Sequence, residues 1–223
     1  MLKRICSFLL AMVILLGLLP QVALPKSEAA TAPSVSTVTS LFEARSEGVH
    51  PRIMATESDF ARIRQTVQTD PYMKVWYAQL YAYGVEKLSE PLCKYELANG
   101  KKLLSVSREA SYRIVGLAMV YHISGEARFA DRAVEEMLNV CAFSDWNPSH
   151  YLDVGQMAYG VGLGYDWLYH YMTSSQRNTV AKAIYKYALC TRTTDLKRIT
   201  STSNWNPWCN NGLIIAALAV FES

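Results

Sequence analysis

Near the C-terminal end of the sequence, two amides and an indole precede a proline in the run Asn204-Trp205-Asn206-Pro207, and an apolar stretch follows to Phe221. Asn suits a helix N-cap and Pro the first helical position, so the run predicts a helix capped by Asn206 and starting at Pro207. Asn204 then stands just ahead of a helix N-terminus, where unpaired N–H groups and the helix dipole favour an anion. A preorganised amide donor at such a place stabilises charge developing on a carboxylate, an effect worth about 3–4 kcal/mol. The plain alternative is a loop asparagine bonded to its own backbone. Trp205 fits stacking on a sugar ring and equally fits plugging an inner wall.

Other residues could share that chemistry. His150 follows the Trp146-Asn147-Pro148 turn at the start of an apolar helix. It suits either a groove-facing site or a structural hydrogen bond. Gln156 lies a little later on the same predicted helix, for substrate contact or for packing. Arg108 and Glu109 open another helix and have local pairing open to them. Asp166 reads as a buried, hydrogen-bonded acid that orders helix packing. Asp145 and Asp153 offer a carboxylate pair of the kind that inverting hydrolysis needs, but their spacing leaves the distance between them undetermined. Cys93, Cys141, Cys190 and Cys209 match no zinc spacing and read as buried, unbridged thiols, although export would permit disulfides. No cofactor motif is present.

The elements that must position these groups are helices. Hydrophobic residues make up 51% and charged residues 18% of the chain, too apolar a balance for disorder. Lys3 and Arg4 precede an apolar run, Phe8 to Leu19, that is too short to span a bilayer comfortably, and Ser27-Glu28-Ala29 puts small residues where a signal peptidase reads. Residues 1–29 are therefore expected to be a signal peptide for export to the periplasm, the cell surface or the medium. Removing Lys3, Arg4, Lys26 and Glu28 leaves 19 basic against 18 acidic residues, so the basic pI of 8.5 calls for neither nucleic acid nor a membrane surface as partner. Residues 30–48 lack a helical period and read as a flexible lead-in.

From residue 49 the pattern is a chain of helices. The first spans Glu57–Gln68 with Thr56 as N-cap, and the second starts at Asp70-Pro71 and runs to Ser89. A loop over 91–103 contains Asn99-Gly100. The third helix runs from Arg108 to His122, with Gly125 as its stop, and the fourth from Ala127 to Cys141. The fourth turns Ala130, Ala133, Met137, Leu138 and Cys141 to one face and Asp131, Arg132, Glu135 and Glu136 to the other. The fifth, Tyr151–Tyr171, is apolar nearly all round and carries Gly155, Gly160, Gly162 and Gly164, as a buried helix approached closely by neighbours would. Thr173 to Gln176 forms a capping box for an amphipathic sixth helix, and the seventh, Pro207–Phe221, is again apolar all round. No strand signal appears. Outer-type helices alternate with buried-type helices, so the expected fold is all-α, antiparallel hairpins forming part of an (α/α) toroid or a helical solenoid.

Several stretches resemble the N-terminal region of the heparinase II/III family. They are His50-Pro51-Arg52-Ile53, Ser107-Arg108-Glu109 with Arg113-Ile114, Asp145-Trp146-Asn147-Pro148 with His150-Tyr151-Leu152-Asp153, Gly164-Tyr165-Asp166-Trp167-Leu168 and Ser203-Asn204-Trp205-Asn206. They occur in the family's order across residues 50 to 223. The resemblance implies a polysaccharide lyase that cleaves uronic-acid polymers, such as glycosaminoglycans or alginate, by β-elimination. It places the carboxylate-neutralising role on Asn204. The family's Tyr and His, which handle the protons, fall beyond residue 223. The resemblance therefore implies a fragment completed by a missing C-terminal half, with the rest of the toroid and a β-sandwich, and inactive alone. Two alternatives stand beside it: an inverting glycoside hydrolase on a similar toroid, and a non-catalytic glycan-binding or scaffold domain.

Overall fold

The helix that is apolar on every side is the one on which the others pack. The computed structural model describes residues 34–37, 39–40, 48–191 and 201–221, and the chain divides into two compact units, Met1–Phe42 and Glu43–Ser223. The expected signal peptide lies outside the described residues. Within the expected lead-in, residues 35–37 and 39–40 are helical, a correction to the expectation of no helix there.

The second unit contains α1 (Glu57–Thr69), α2 (Pro71–Ser89), α3 (Leu104–Ser124), α4 (Ala127–Cys141), α5 (Leu152–Trp167), α6 (Ser174–Ile184) and α7 (Trp205–Ala219). A 3-10 turn, Pro148–His150, leads into α5, and π-helical turns, Tyr185–Leu189, extend α6. Among the described residues no strand forms, and the fold is all-α. Local chemistry sets most helix ends as expected. Thr56 and Asp59 form a reciprocal capping box, as do Thr173 and Gln176. The Asp70 carboxylate accepts the Met73 N–H ahead of Pro71. Gly125 closes α3 with φ +75°, a left-handed conformation that favours glycine.

Three boundaries differ from expectation. The third helix begins four residues early, at Leu104, because Leu103 is fully buried and its N–H is held at 2.6 Å by the Asp153 carboxylate of a distant segment. The fifth ends at Trp167, where the Leu168 carbonyl accepts the Tyr171 and Met172 N–H groups and turns the chain. The seventh starts at Trp205, with Asn204 in the N-cap position; Pro207 still sits in the first turn, where its missing N–H costs nothing. Asn206 therefore lies inside the helix, and its side-chain oxygen accepts from Asn210 at 2.6 Å.

α5 lies between α3 and α7, with α4 against α3 and α6 against α4 and α5. Burial of α5 is nearly total: only Leu152 and Tyr159 among its residues are not buried. Its glycines make that possible. A methyl group on Gly155 would lie 2.8 Å from the Cys209 Cα, and one on Gly160 would lie 2.5 Å from the Ser111 Cα, so α5 meets both neighbours backbone to backbone. α7 corrects the expectation of an all-round buried helix. Cys209, Gly212, Leu213, Ile215, Ala216 and Ala219 are buried, but Trp208 and Ile214 stay exposed because α5 covers one side only.

Glu136 also departs from its expected polar face. It is wholly buried, pairs with Arg113 at 3.4 Å and accepts the Cys93 N–H at 2.9 Å. Asp166 does what its setting suggested. Its carboxylate, fully buried, takes the His50 imidazole at 2.6 Å and the N–H groups of Arg52 and Ile53 at 3.0 and 2.8 Å, pinning the entry segment to α5. None of Cys93, Cys141, Cys190 and Cys209 is bridged, but Cys190 is exposed and Cys93 only half-buried. No described helix is long and apolar enough to cross a membrane.

Candidate functional site

α3, α5 and α7 bring the same part of themselves to one place. Leu104 and Arg108 from the start of α3, Leu152 and Gln156 from the start of α5, and Asn204 and Trp208 from the start of α7 line one narrow cleft of about 40 Å³. Each helix contributes two residues four apart, which share a helix face. Three N-termini thus converge, and each carries a partial positive charge on its unpaired N–H groups. The convergence is held from below. Asp153 is fully buried and accepts the Leu103 N–H at 2.6 Å and the Asn147 side-chain N–H at 2.7 Å, so one carboxylate ties the mouth of α3 to the mouth of α5. Ser111 adds a second tie, its hydroxyl lying 2.7 Å from the Gln156 carbonyl.

The polar groups in the cleft are donors in waiting. Asn204 is exposed and makes no side-chain bond to its own helix, so the alternative of an amide spent on its backbone does not hold. Gln156 is 6% exposed and lines the cleft, and its amide is not among the buried side-chain groups left without a partner. Arg108 is exposed and forms no ion pair among the described residues, whereas the neighbouring Glu109 pairs with Arg113 at 2.7 Å and with Lys87 at 3.6 Å. No carboxylate lines the cleft.

Of the four residues singled out from sequence, two meet in the cleft and two stand outside its lining. Asn204 and Gln156 both line it. His150 instead binds the Asp153 carboxylate through Nδ1 at 2.6 Å, and the Trp205 indole meets the His150 ring edge-on at 5.1 Å. The aromatic wall of the cleft is Trp208, missed in the sequence because a helix starting at Pro207 puts Trp208 one residue into it, out of step with Asn204. Arg108 was missed as a site residue because its freedom from local partners is a tertiary fact.

The hydrolase pair fares worse. Asp153 is sealed from solvent with its oxygens occupied, and Asp145 accepts the Tyr95 hydroxyl at 2.8 Å and the Asn147 N–H at 2.7 Å. Burial and that nearby carboxylate push the Tyr95 phenol up to about 12. No cluster of three metal-ligating side chains occurs among the described residues. A larger hollow of about 500 Å³ lies at the opposite ends of α3 and α5. Its polar groups are committed to structure: His122 meets the Trp167 carbonyl at 2.8 Å, His170 the His50 carbonyl at 3.0 Å, and Arg64 donates to the His122 carbonyl at 2.7 Å.

Fold and site together define an all-α protein with a donor-lined cleft at the convergent N-termini of three packed helices. No family model matches the chain, and no curated protein matches it.

Proposed function

We propose that this chain is the N-terminal part of a secreted polysaccharide lyase that cleaves an acidic polysaccharide by β-elimination, its helices forming an arc of an (α/α) toroid. Asn204 is the group that quiets the uronate carboxylate. The observation that carries this reading is the Asn204 amide itself: open, unspent on its own helix, and set among three helix N-termini. In β-elimination the proton beside the carboxylate leaves, its electron pair becomes the new double bond, and the glycosidic C–O bond breaks. The carboxylate gathers charge as the proton departs, and donors fixed at that point stabilise the transition state more than the ground state. The resemblance places the proton-handling Tyr and His beyond Ser223, and neither residue type lines the cleft.

The test uses a protein extended through those residues, offered a panel of uronic-acid polymers and followed by the ultraviolet absorbance of the unsaturated product. Asn204→Ala is expected to lower kcat by about 10²–10³-fold, the cost of one preorganised donor. No unsaturated product from any polymer would remove the lyase reading. A glycan-binding role without catalysis is the second reading. It is favoured by one observation, that no residue lining the cleft is an acid or base suited to moving a proton.

A further inference from the structure

We infer that the hollow at the C-terminal ends of α3 and α5 is a binding site for a small organic ammonium ion, which gives its N–H groups to acceptors there and lies against the rings of Tyr121 and Tyr171. The cleft sits at the N-terminal ends of the same helices, so the inference stands apart from the lyase reading. The volume of about 500 Å³ falls within the roughly 300–1,000 Å³ of small-molecule sites. Hydrogen bonding sets the kind of ligand. His122 and His170 both line the hollow, and each turns Nε2 to a backbone carbonyl, that of Trp167 at 2.8 Å and that of His50 at 3.0 Å. A carbonyl only accepts, so Nε2 carries the proton in both rings, and Nδ1 of each neutral imidazole is left as an acceptor. Neither Nδ1 has a partner among the described residues. Burial pushes His122 below the ordinary imidazole value, which keeps that ring neutral.

The end of α3 adds further acceptors. Among its last carbonyls, that of Tyr121 takes the Gly125 N–H and that of His122 takes Arg64, but those of Ile123 and Ser124, both in the lining, take no donor among the described residues. Glu57 spends one carboxylate oxygen on Arg64 at 2.8 Å and keeps the other. Charge points the same way. The charges acting on the His122 ring are the Glu57 and Asp166 carboxylates against the Arg64 guanidinium, so Arg64 offsets only one of the two. The C-terminal ends of α3 and α5 add partial negative charge. A hollow rich in acceptors and negative on balance selects a ligand that brings donors and a positive charge. Its wall suits the rest of such a ligand. The Tyr121 and Tyr171 rings stand 5.2 Å apart at 62° to each other, and the Tyr171 hydroxyl is anchored on Asp131. Aromatic faces attract a cation, and their carbon surface covers its apolar body.

The experiment is calorimetric titration of the 223-residue chain at neutral pH with phenethylammonium, with its neutral N-acetyl derivative, and with phenylpropionate, which puts a negative charge where the ammonium stood. The ammonium ion should bind at least about tenfold more tightly than either of the others, the effect of charge and donors together. Tyr121→Ala should weaken it about 2- to 30-fold, the range of a cation–π contact, and Tyr121→Phe should keep the affinity, because the ring and not the hydroxyl makes the contact. Glu57→Gln should weaken it about 2- to 5-fold, as the loss of an exposed ion pair does. Trp76, exposed on α2 and outside the lining, is the control for adhesion to any surface aromatic, and Trp76→Ala should bind as the parent does. Equal or tighter binding of the acetylated amine or the carboxylate, no binding of the ammonium ion at millimolar concentration, or a loss in Trp76→Ala as large as in Tyr121→Ala would each overturn the inference. So would unchanged affinity in a Tyr121→Ala protein that keeps the helical circular dichroism of the parent. Should that variant unfold, Glu57→Gln at the exposed start of α1 decides in its place, and unchanged affinity there overturns the inference as well.

Discussion

Replacing Gly160 with alanine tests the contact on which the cleft is built. Gly160 lies on α5 where that helix crosses α3, and an added methyl would sit 2.5 Å from both the Ser111 Cα and the Ser111 hydroxyl oxygen. Ordinary contact begins near 3.4 Å, so the two backbones must part by about 0.9 Å, the difference between those distances. Gaps of about 0.5–1 Å forfeit a quarter to a half of each dispersion well along the seam. Overpacking of this kind costs about 1–3 kcal/mol. Separation also stretches the hydrogen bond from the Ser111 hydroxyl to the Gln156 carbonyl, now 2.7 Å long, a loss of about 1 kcal/mol. Alanine returns about 1 kcal/mol through helix propensity. The net expectation is a destabilisation of about 2 kcal/mol, or a fall of about 4–8 °C in Tm for a domain of this size. Thermal unfolding by circular dichroism measures it. Gly116→Ala on α3 is the control, because its methyl would meet the movable Tyr83 ring rather than backbone, and it should unfold within about 1 kcal/mol of the parent. A Gly160→Ala protein as stable as the Gly116→Ala control would mean that α3 and α5 do not touch backbone to backbone. The positions of Arg108 and Gln156 would lose their support with it.

Other outcomes follow from the same structure. Asp166→Ala removes the shared acceptor of the His50 imidazole and of the Arg52 and Ile53 N–H groups, at a cost of about 3–5 kcal/mol read by denaturant unfolding. A loss under about 1 kcal/mol would show that the entry segment is not anchored there. Among the four cysteines from Cys93 onward, burial pushes the Cys141 thiol up to about 12, and burial with the neighbouring Glu136 pushes Cys93 to about 12 as well. The thiolate is the reactive form, so alkylation of the native protein at pH 8 followed by peptide mass spectrometry should mark exposed Cys190 first and buried Cys141 and Cys209 last. Equal labelling of Cys141 and Cys190 would contradict the packing of α4.

The chain of amino acids settles by itself whatever depends on neighbours along the backbone. The capping boxes at Thr56 and Thr173, the Asp70-Pro71 start and the Gly125 stop are local hydrogen-bond chemistry, and each forms where the residues place it. The apolar, glycine-rich stretch after Leu152 likewise marks itself as a helix meant for burial between others. Tertiary contacts decide the rest. Asp153 reaches back to Leu103 and adds a turn to α3; nothing between Pro91 and Leu103 signals that. Glu136 leaves the polar face of α4 because Arg113 and Cys93, brought in from other elements, satisfy it inside. The cleft belongs wholly to this second kind. Its three residue pairs come from three separated helices, and only the close backbone packing of α5 against α3 and α7 brings their N-termini to one point. Residue types announce which groups can bind an anion, but convergence is a property of packed helices, since the spacing that matters there runs across the chain and not along it.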